Sequence, residues 1–313
     1  MKNNIKNMKY VVTGGAGFIG SNIVRLLLKL NHEVKVIDNL HSGKIENLAD
    51  IKNEIEFENV DIRNFEKMEL SLKNVDGIFH EAALTSVPES FKKSQEYYDV
   101  NVLGTKNIFK IANKENIRVI FASSSSVYGD IKKTPIKENF NKNPNNPYGQ
   151  TKLDSEYLAK EFIKNKSKII GLRYFNVYGI GQNSSYAGVI TKFLENIKNK
   201  KSIIINGDGN QNRDFIHIKD IAKANIIAME SKIEEGFFNI GTGIATSIND
   251  LSKLMIKLSN HQNKIIHSSQ LEGDVKISQA DMCLSNKVLD WNHEINLIDG
   301  LRELIESYLS SKL

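Results

Sequence analysis

The stretch Val11-Val12-Thr13-Gly14-Gly15-Ala16-Gly17-Phe18-Ile19-Gly20-Ser21 decides the fold. A short apolar run breaks into glycines and then opens a helical pattern from Ser21, so a buried strand hands over to a helix. Glycines at such a junction allow a tight turn and let the backbone approach a pyrophosphate, whose charge meets the N–H groups opening the helix. A second strand, Glu33-Val34-Lys35-Val36-Ile37, ends at Asp38, about 20 residues beyond the last glycine, where a carboxylate accepts hydrogen bonds from an adenosine ribose. Strand, turn, helix, strand and acid in register specify a dinucleotide site. Asp38 would repel a 2′-phosphate, which favours NAD over NADP, although Lys44 is a nearby cation that could meet one. A Walker loop is excluded because Ser21 stands where a lysine is needed.

The surrounding composition suits this reading. The chain has 313 residues, 40% of them hydrophobic, enough for a substantial core. Its net charge of +5 comes from scattered lysines, with no block of like charges and no basic face interleaved with aromatics, so no nucleic-acid partner is expected. The single cysteine, Cys283, excludes an internal disulfide, fits a reducing compartment and reads as a packed thiol. The histidines show no metal-ligand spacing, and His217 reads as a satisfied strand residue, so no metal site is expected. Met1 to Lys9 lacks the apolar stretch of a signal peptide, and no run approaches the ~18 apolar residues of a membrane span. A soluble cytoplasmic protein without membrane contacts is the expectation.

Outward from the glycines, strand-like runs alternate with amphipathic helical stretches. The runs are Tyr10–Val12, Val34–Ile37, Gly77–Phe79, Val119–Phe121 and Ile169–Leu172; the helices are Ser21–Leu30, Gln95–Asn113 and Tyr148–Lys164. Alternation of this kind predicts a doubly wound parallel α/β sheet of the Rossmann type. Prolines cluster at Pro135, Pro144 and Pro147, marking 131–146 as a surface loop. Beyond Arg173 the pattern becomes irregular, so residues 1–173 are assigned to the NAD-binding domain, with 212–243 returning to it. Residues 174–313 are assigned mainly to a second, smaller α/β substrate-binding domain.

Tyr148-Gly149-Gln150-Thr151-Lys152 is the candidate catalytic segment, because residues four apart share a helix face and the Lys152 ammonium can lie beside the Tyr148 phenol. Asn145 or Asn146 can cap this helix, and Pro147 suits its first position. Bringing a phenol from pKa ~10 to ~7 requires ~4 kcal/mol of preferential phenolate stabilisation. One cation at ~5 Å and an effective dielectric of ~20 supplies ~3 kcal/mol. Upstream, Val119–Ala122 opens into Ser123-Ser124-Ser125-Ser126 at the carboxyl edge of the sheet, where such folds bind ligands. Those serines can hydrogen-bond a sugar hydroxyl or merely finish the strand.

With these motifs in place, the chain resembles the extended short-chain dehydrogenase/reductase family, in its NAD-dependent nucleotide-sugar epimerase/dehydratase branch. The resemblance spans nearly the whole chain. It rests on Thr13–Gly20, Asp61-Ile62-Arg63, His80–Ala83 with Ser86–Pro88, and Asn101 with Gly104-Thr105. It continues through Ser124–Gly129, Tyr148 with Lys152, Arg173–Gly179, Gly207–Gly209 with Arg213–His217, and Asn239–Gly243. It implies that Tyr148 is the base, that Lys152 holds Tyr148 and the nicotinamide ribose, and that Ser124 binds the reacting hydroxyl. It assigns Gly14, Gly17, Phe18, Ile19, Gly20, Asp38, Asn39, Asp61, Ile62, Ala82, Ala83 and Asn101 to the cofactor, with Asp61 and Ile62 flanking the adenine. Ser86, Ser125, Ser126, Asn176, Val189, Asn206, Arg213, Asp274 and Ser278 fall on the substrate side, several as contacts to a uridine diphosphate.

Resembling dehydratases carry an Asp-Glu pair after the position of Ser124 and uronate decarboxylases a Glu, whereas this chain has Ser125 and Ser126. Without an acid there to drive elimination, a ketone formed by hydride transfer is reduced again, from either face if the sugar turns over. The resemblance therefore implies C4 epimerisation of a UDP-hexose, with NAD retained. Ser278 falls where resembling enzymes control room beside the sugar's second carbon, leaving space for an N-acetyl group. Leu271 replaces the usual diphosphate-gripping Arg, at a cost of about 1.5–3 kcal/mol. The alternatives are a UDP-uronate 4-epimerase, a 4-keto-sugar reductase or a non-catalytic NAD-binding relative. Family members often dimerise through two helices from each subunit, here Gln95–Asn113 and Ser155–Lys164, so a homodimer is expected.

Overall fold

A computed structural model describes residues 7–182, 188–262, 264–270 and 275–310. The glycine-rich stretch joins β1 (Lys9–Thr13) to α1 (Phe18–Lys29), and the acid follows β2 (Glu33–Ile37). The chain continues through β3 (Ile55–Glu58), α2 (Phe65–Ser71), β4 (Gly77–His80), α3 (Val87–Lys92), α4 (Ser94–Tyr98) and α5 (Thr105–Glu115). Then come β5 (Arg118–Ser124), α6 (Pro147–Lys164), β6 (Ile169–Tyr174), β7 (Asn176–Tyr178), α7 (Val189–Lys198), β8 (Ile203–Asn206), β9 (Asn212–His217) and α8 (Ile218–Glu230). The last elements are β10 (Gly236–Ile240), β11 (Ala245–Ser247), α9 (Ile248–Ser259), β12 (Ile265–Ser268), α10 (Cys283–Leu289) and α11 (Leu297–Ser310).

Seven strands form one sheet in the order β10-β6-β5-β4-β1-β2-β3. The order reverses at β1, the switch point that places ligands at the carboxyl ends of β1 and β4 in doubly wound sheets. β1 pairs in parallel with β2 and β4, and β4 with β5. These strands are largely apolar because both sheet faces are covered, and the charge at the centre of β2, Lys35, is buried and donates to Glu58 (2.8 Å). On one face Val11, Ile78, Val119 and Phe121 meet Ile108, Phe109 and Ala159 in one buried cluster.

The chain divides into two compact units, the first running to Val127 and adding Asn146–Arg173 and Ala222–Phe238. The second takes Tyr128–Asn145, Tyr174–Ile221 and the chain from Asn239 onward. Two boundaries differ from the division at 173. The loop 128–145, grouped by sequence with the cofactor domain, is tied to the later chain. Tyr128 Oη donates to Asn239 Oδ1 (2.7 Å), Asn239 Nδ2 to the Ile136 carbonyl (2.8 Å), and Asp281 N to that same carbonyl (2.9 Å). Of the expected return 212–243, only 222–238 joins the first unit, because β9 pairs instead with β7 and β11. The second unit has its own core around Phe193, Ile203, Phe215, Leu251 and Leu301.

The helix expected over Gln95–Asn113 is interrupted. Between α4 and α5 lies a π-turn, Asp99–Gly104, of the kind that reshapes helices at functional sites. It turns Asn101 inward, where its side chain pairs with backbone of a neighbouring segment. No helix among the described residues is long and apolar enough to cross a membrane.

Candidate active site

The glycine loop builds a cradle that no larger residue would permit. Gly14 has φ +69°, and a Cβ there would lie 2.6 Å from the Ala82 nitrogen. At Gly20 a Cβ would drive into the Gly14 carbonyl. Helix α1 starts from Gly17 without a side-chain cap, leaving its first N–H groups to an anion. Asp38 closes the cradle's far side: its Oδ2 accepts from Ala16 N (3.0 Å) and its Oδ1 from Leu40 N (2.8 Å). Burial raises the Asp38 pKa, against the pull of those two amides. Each oxygen keeps a lone pair for a ribose hydroxyl. The Ala16 carbonyl accepts from Lys44 N (3.0 Å) and Asn47 Nδ2 (2.8 Å), which ties the following loop to the glycines. A narrow glycine cradle, an uncapped helix start and a buried acid fit the pyrophosphate and ribose of NAD.

Asp61 lies beside this cradle with Asn39, whose Nδ2 donates to Asp61 Oδ2 (3.0 Å). The Arg63 guanidinium beside it brings the Asp61 pKa down to about 2. Ala82 and Ala83 follow β4 and are half-buried. Asn101, expected to line the groove, is 1% exposed and its side chain is engaged by the protein itself. Its Oδ1 accepts from Leu84 N (2.8 Å), while its Nδ2 donates to Leu84 O (2.9 Å) and Thr151 Oγ1 (3.0 Å). It clamps the segment after β4 to the helix bearing Tyr148.

Helix α6 is capped by Asn146, whose side chain accepts from Gly149 N (2.8 Å), with Pro147 in its first turn. The cap sets the phase that turns Tyr148 toward Ser124 at the end of β5, and the Tyr148 phenol and Ser124 hydroxyl are hydrogen-bonded. Ser124 Oγ also accepts from Ser126 N (3.1 Å), which fixes its position. The Lys152 ammonium lies 6.0 Å from the Tyr148 ring centre and donates to the Ala122 carbonyl (2.8 Å). Burial lowers its pKa to about 8, opposed by the Glu81 carboxylate. The protein's own field does not depress the phenol as the sequence suggested. Burial raises the Tyr148 pKa, Glu81 adds to the rise, and the Ser124 hydrogen bond opposes both.

Several supporting residues carried no signal in the sequence. Glu156, one turn beyond Lys152, is 0% exposed and accepts from Ser123 Oγ (2.6 Å), Arg173 Nε (2.7 Å) and Arg173 Nη2 (2.8 Å). His80 bridges Thr13 Oγ1 (2.7 Å) and Thr105 Oγ1 (2.9 Å). Because Thr105 gives its proton to the Asn101 carbonyl (2.6 Å), His80 Nε2 is the donor and Nδ1 accepts from Thr13. Burial lowers the His80 pKa to about 3, helped by the Lys152 charge, so it stays neutral. Glu81 could have been flagged as an acid beside the alanines, yet only the fold brings its charge near Tyr148 and Lys152.

Other expected positions are less concentrated. The Ser86 hydroxyl caps α3, accepting from Glu89 N (3.3 Å). Ser125 and Ser126 form a short turn after β5 and are half-buried. In the second unit Arg213 and Ser278 converge on Asn212, whose carbonyl accepts from Arg213 Nη1 (2.8 Å) and Ser278 N (3.1 Å). On the neighbouring strand, Asn176 Nδ2 donates to the Asp214 carbonyl (3.3 Å). Asn206 Oδ1 accepts from Ser268 Oγ (2.8 Å), and Val189 opens α7. Asp274 and Leu271 lie outside the described residues. Two expectations are corrected. Cys283 is exposed at the start of α10, because that helix turns its first residue outward. His217 is buried in β9, but its Nε2 has no hydrogen-bond partner, since Glu303 Oε2 stops at 4.0 Å. No His, Cys, Asp and Glu group among the described residues could hold a metal ion.

This arrangement joins a dinucleotide cradle to a Ser-Tyr-Lys cluster at the carboxyl edge of a doubly wound sheet. Residues 10–241 match the model of the NAD dependent epimerase/dehydratase family, and the chain belongs to that family. A Methanocaldococcus jannaschii protein with the provisional name UDP-glucose 4-epimerase is 39% identical over 304 residues, covering 94% of this chain and 96% of its own. The structure of a UDP-N-acetylglucosamine 4-epimerase from Methanobrevibacter ruminantium, in complex with UDP-N-acetylmuramic acid, superposes with a TM-score of 0.93 at 37% identity, over 98% of this chain and 99% of that one. A Thermotoga maritima UDP-glucose 4-epimerase with UDP-glucose gives a TM-score of 0.92 at 34% identity, over 96% and 98% of the two chains.

Proposed function

We propose that the protein is an NAD-dependent isomerase that inverts C4 of a UDP-hexose, taking UDP-glucose and UDP-galactose, UDP-N-acetylglucosamine and UDP-N-acetylgalactosamine, or both pairs. The observation that carries this reading is the hydrogen-bonded Ser124–Tyr148 pair beside Lys152, followed by Ser125 and Ser126 instead of carboxylic acids. The family and its UDP-hexose 4-epimerase relatives support it.

Bound NAD supplies reversible acceptance of a hydride. The glycine cradle and the start of α1 hold its pyrophosphate, Asp38 its ribose, and Asp61 and Ile62 flank its adenine. Tyr148 takes the proton of the C4 hydroxyl and later returns it, and Ser124 holds that hydroxyl in line. Lys152 stays protonated at neutral pH, with Glu81 opposing its desolvation, and stabilises the phenolate by its charge. With no acid at 125 or 126 to protonate a leaving group, the 4-keto sugar is reduced on either face. Arg213 and Asn176 serve the diphosphate and uridine, and Ser278 leaves room for an N-acetyl group.

A homodimer belongs to the same reading. Phe91, Tyr98, Leu103 and Tyr157 are exposed on α3, α4, the π-turn and α6, and α6 packs against the other three. Light scattering on the purified protein tests this state.

Proton NMR of the protein with UDP-N-acetylglucosamine and separately with UDP-glucose, without added cofactor, tests the reaction. Growth of the galacto anomeric signal, abolished in Tyr148→Phe, is expected. No conversion of either sugar, even with NAD added, would sink the proposal.

A further inference from the structure

We infer that Arg63 is a positioning residue that fixes the carboxylate of Asp61 and thereby sets selectivity for an adenine over a 6-oxopurine dinucleotide. The inference rests on the reading above, in which Asp61 and Ile62 flank the adenine of NAD. Asp61 Oδ1 accepts from Arg63 N (2.9 Å) and Arg63 Nε (2.9 Å). Oδ2 accepts from Arg63 Nη2 (2.7 Å) and Asn39 Nδ2 (3.0 Å). A carboxylate offers about four lone-pair positions, so both oxygens are fully engaged. The guanidinium fork binds edge-on and bidentate, which fixes the plane of the carboxylate as well as its charge.

The turn carrying the pair is itself held. Asn107 Nδ2 donates to the Ile62 carbonyl (3.1 Å) and to the Arg63 carbonyl (3.1 Å). Ile62 rests on Gly104, where a Cβ would lie 2.6 Å from its Cδ1. Of the donors on Asp61, only Asn39 is a neutral side chain, so an incoming exocyclic amine replaces it on Oδ2 without stranding a charge. Adenine presents that amine. Hypoxanthine presents a carbonyl at the same place, and a carbonyl facing a fixed carboxylate sets acceptor against acceptor. Without the fork the carboxylate turns to water, and the two bases become alike.

The experiment incubates the full-length protein with a large, equimolar excess of NAD and nicotinamide hypoxanthine dinucleotide until retained nucleotide has exchanged and the bound ratio is constant, removes free nucleotide, and measures that ratio by mass spectrometry. It is repeated with Arg63→Ala, Arg63→Lys and Asp61→Asn, and thermal melts report folding. The Arg63 side chain is 45% exposed, so its replacement leaves the core intact. Wild type is expected to favour NAD, with the ratio falling at least tenfold in Arg63→Ala. Arg63→Lys should stay low, because it restores charge without the fork, and it carries the test if the alanine variant does not fold. A wild-type ratio in either folded Arg63 variant, with a collapsed ratio in Asp61→Asn, would overturn the role of Arg63 and leave the adenine reading standing. A wild-type ratio in Asp61→Asn, or no preference in wild type, would overturn the adenine reading itself.

Discussion

Two charges one turn apart on α6 are buried in opposite ways. Glu156 meets Arg173 bidentately and a serine hydroxyl, a closed arrangement in which every partner is provided. Lys152, 7% exposed, donates to a backbone carbonyl, and its pKa falls to about 8. The first is a structural pair. The second is a charge held where burial opposes it, which is the state a cation needs if it is to stabilise a phenolate forming nearby. Helical spacing makes the two residues look equivalent, and their surroundings separate them.

The comparison predicts that rate and stability come apart along the helix. Tyr148→Phe removes the proposed base, and kcat should drop by roughly a hundred- to ten-thousandfold while the melting temperature holds. A variant within tenfold of wild type in steady-state assays would move the chemistry elsewhere. Glu156→Leu leaves the Arg173 guanidinium buried without its carboxylate and should cost about 3–5 kcal/mol in urea unfolding, with any surviving folded enzyme active. A stable Glu156→Leu protein would show that the pair is dispensable.

Lys152 should appear in the pH profile. In the proposed role its ammonium must stay protonated to hold the phenolate, so kcat/KM is expected to fall as pH rises through about 8. Lys152→Met should be slow at every pH and no less stable than wild type at pH 7, because it deletes a charge that burial opposes. An alkaline limb that survives in this variant would assign the titration to another group.

How far the sequence led follows the same division. The glycine turn, Asp38 and the order of strands were legible, because each follows from local spacing and apolar runs. Tyr148 and Lys152 were legible as a helical pair, but the rise in the phenol's pKa was not, since burial is a property of the packed chain. Asn101 stands out in the sequence only through the family resemblance, and the π-turn that carries it inward has no simple periodic signature. The second-unit membership of 128–145 depends on Tyr128 and Ile136 meeting Asn239, a pairing across about a hundred positions that no local pattern encodes.

His80 shows a third way to bury a titratable group, and it sharpens the contrast by the smallest measurable margin. It is neither paired with an opposite charge nor held charged; burial and the nearby Lys152 charge keep it neutral between two threonines, with its pKa at about 3 against an ordinary 6.5. The unfolded chain therefore binds a proton that the folded protein refuses between those values. Stability from this source is fully present above pH 6.5 and declines as pH falls, by about 1.4 kcal/mol per unit well inside the window. His80→Gln removes the titration and keeps a donor and an acceptor. Urea unfolding at pH 6.5 and 5 should show wild type losing about 2 kcal/mol more than the variant. His32 and His217, whose pKa values are also lowered by burial, contribute equally to both proteins and cancel in the difference. Equal losses would mean that His80 takes up a proton in the folded state. The chain of hydrogen bonds from Thr13 to Asn101 would then be a switchable link between the cofactor loop and the catalytic helix.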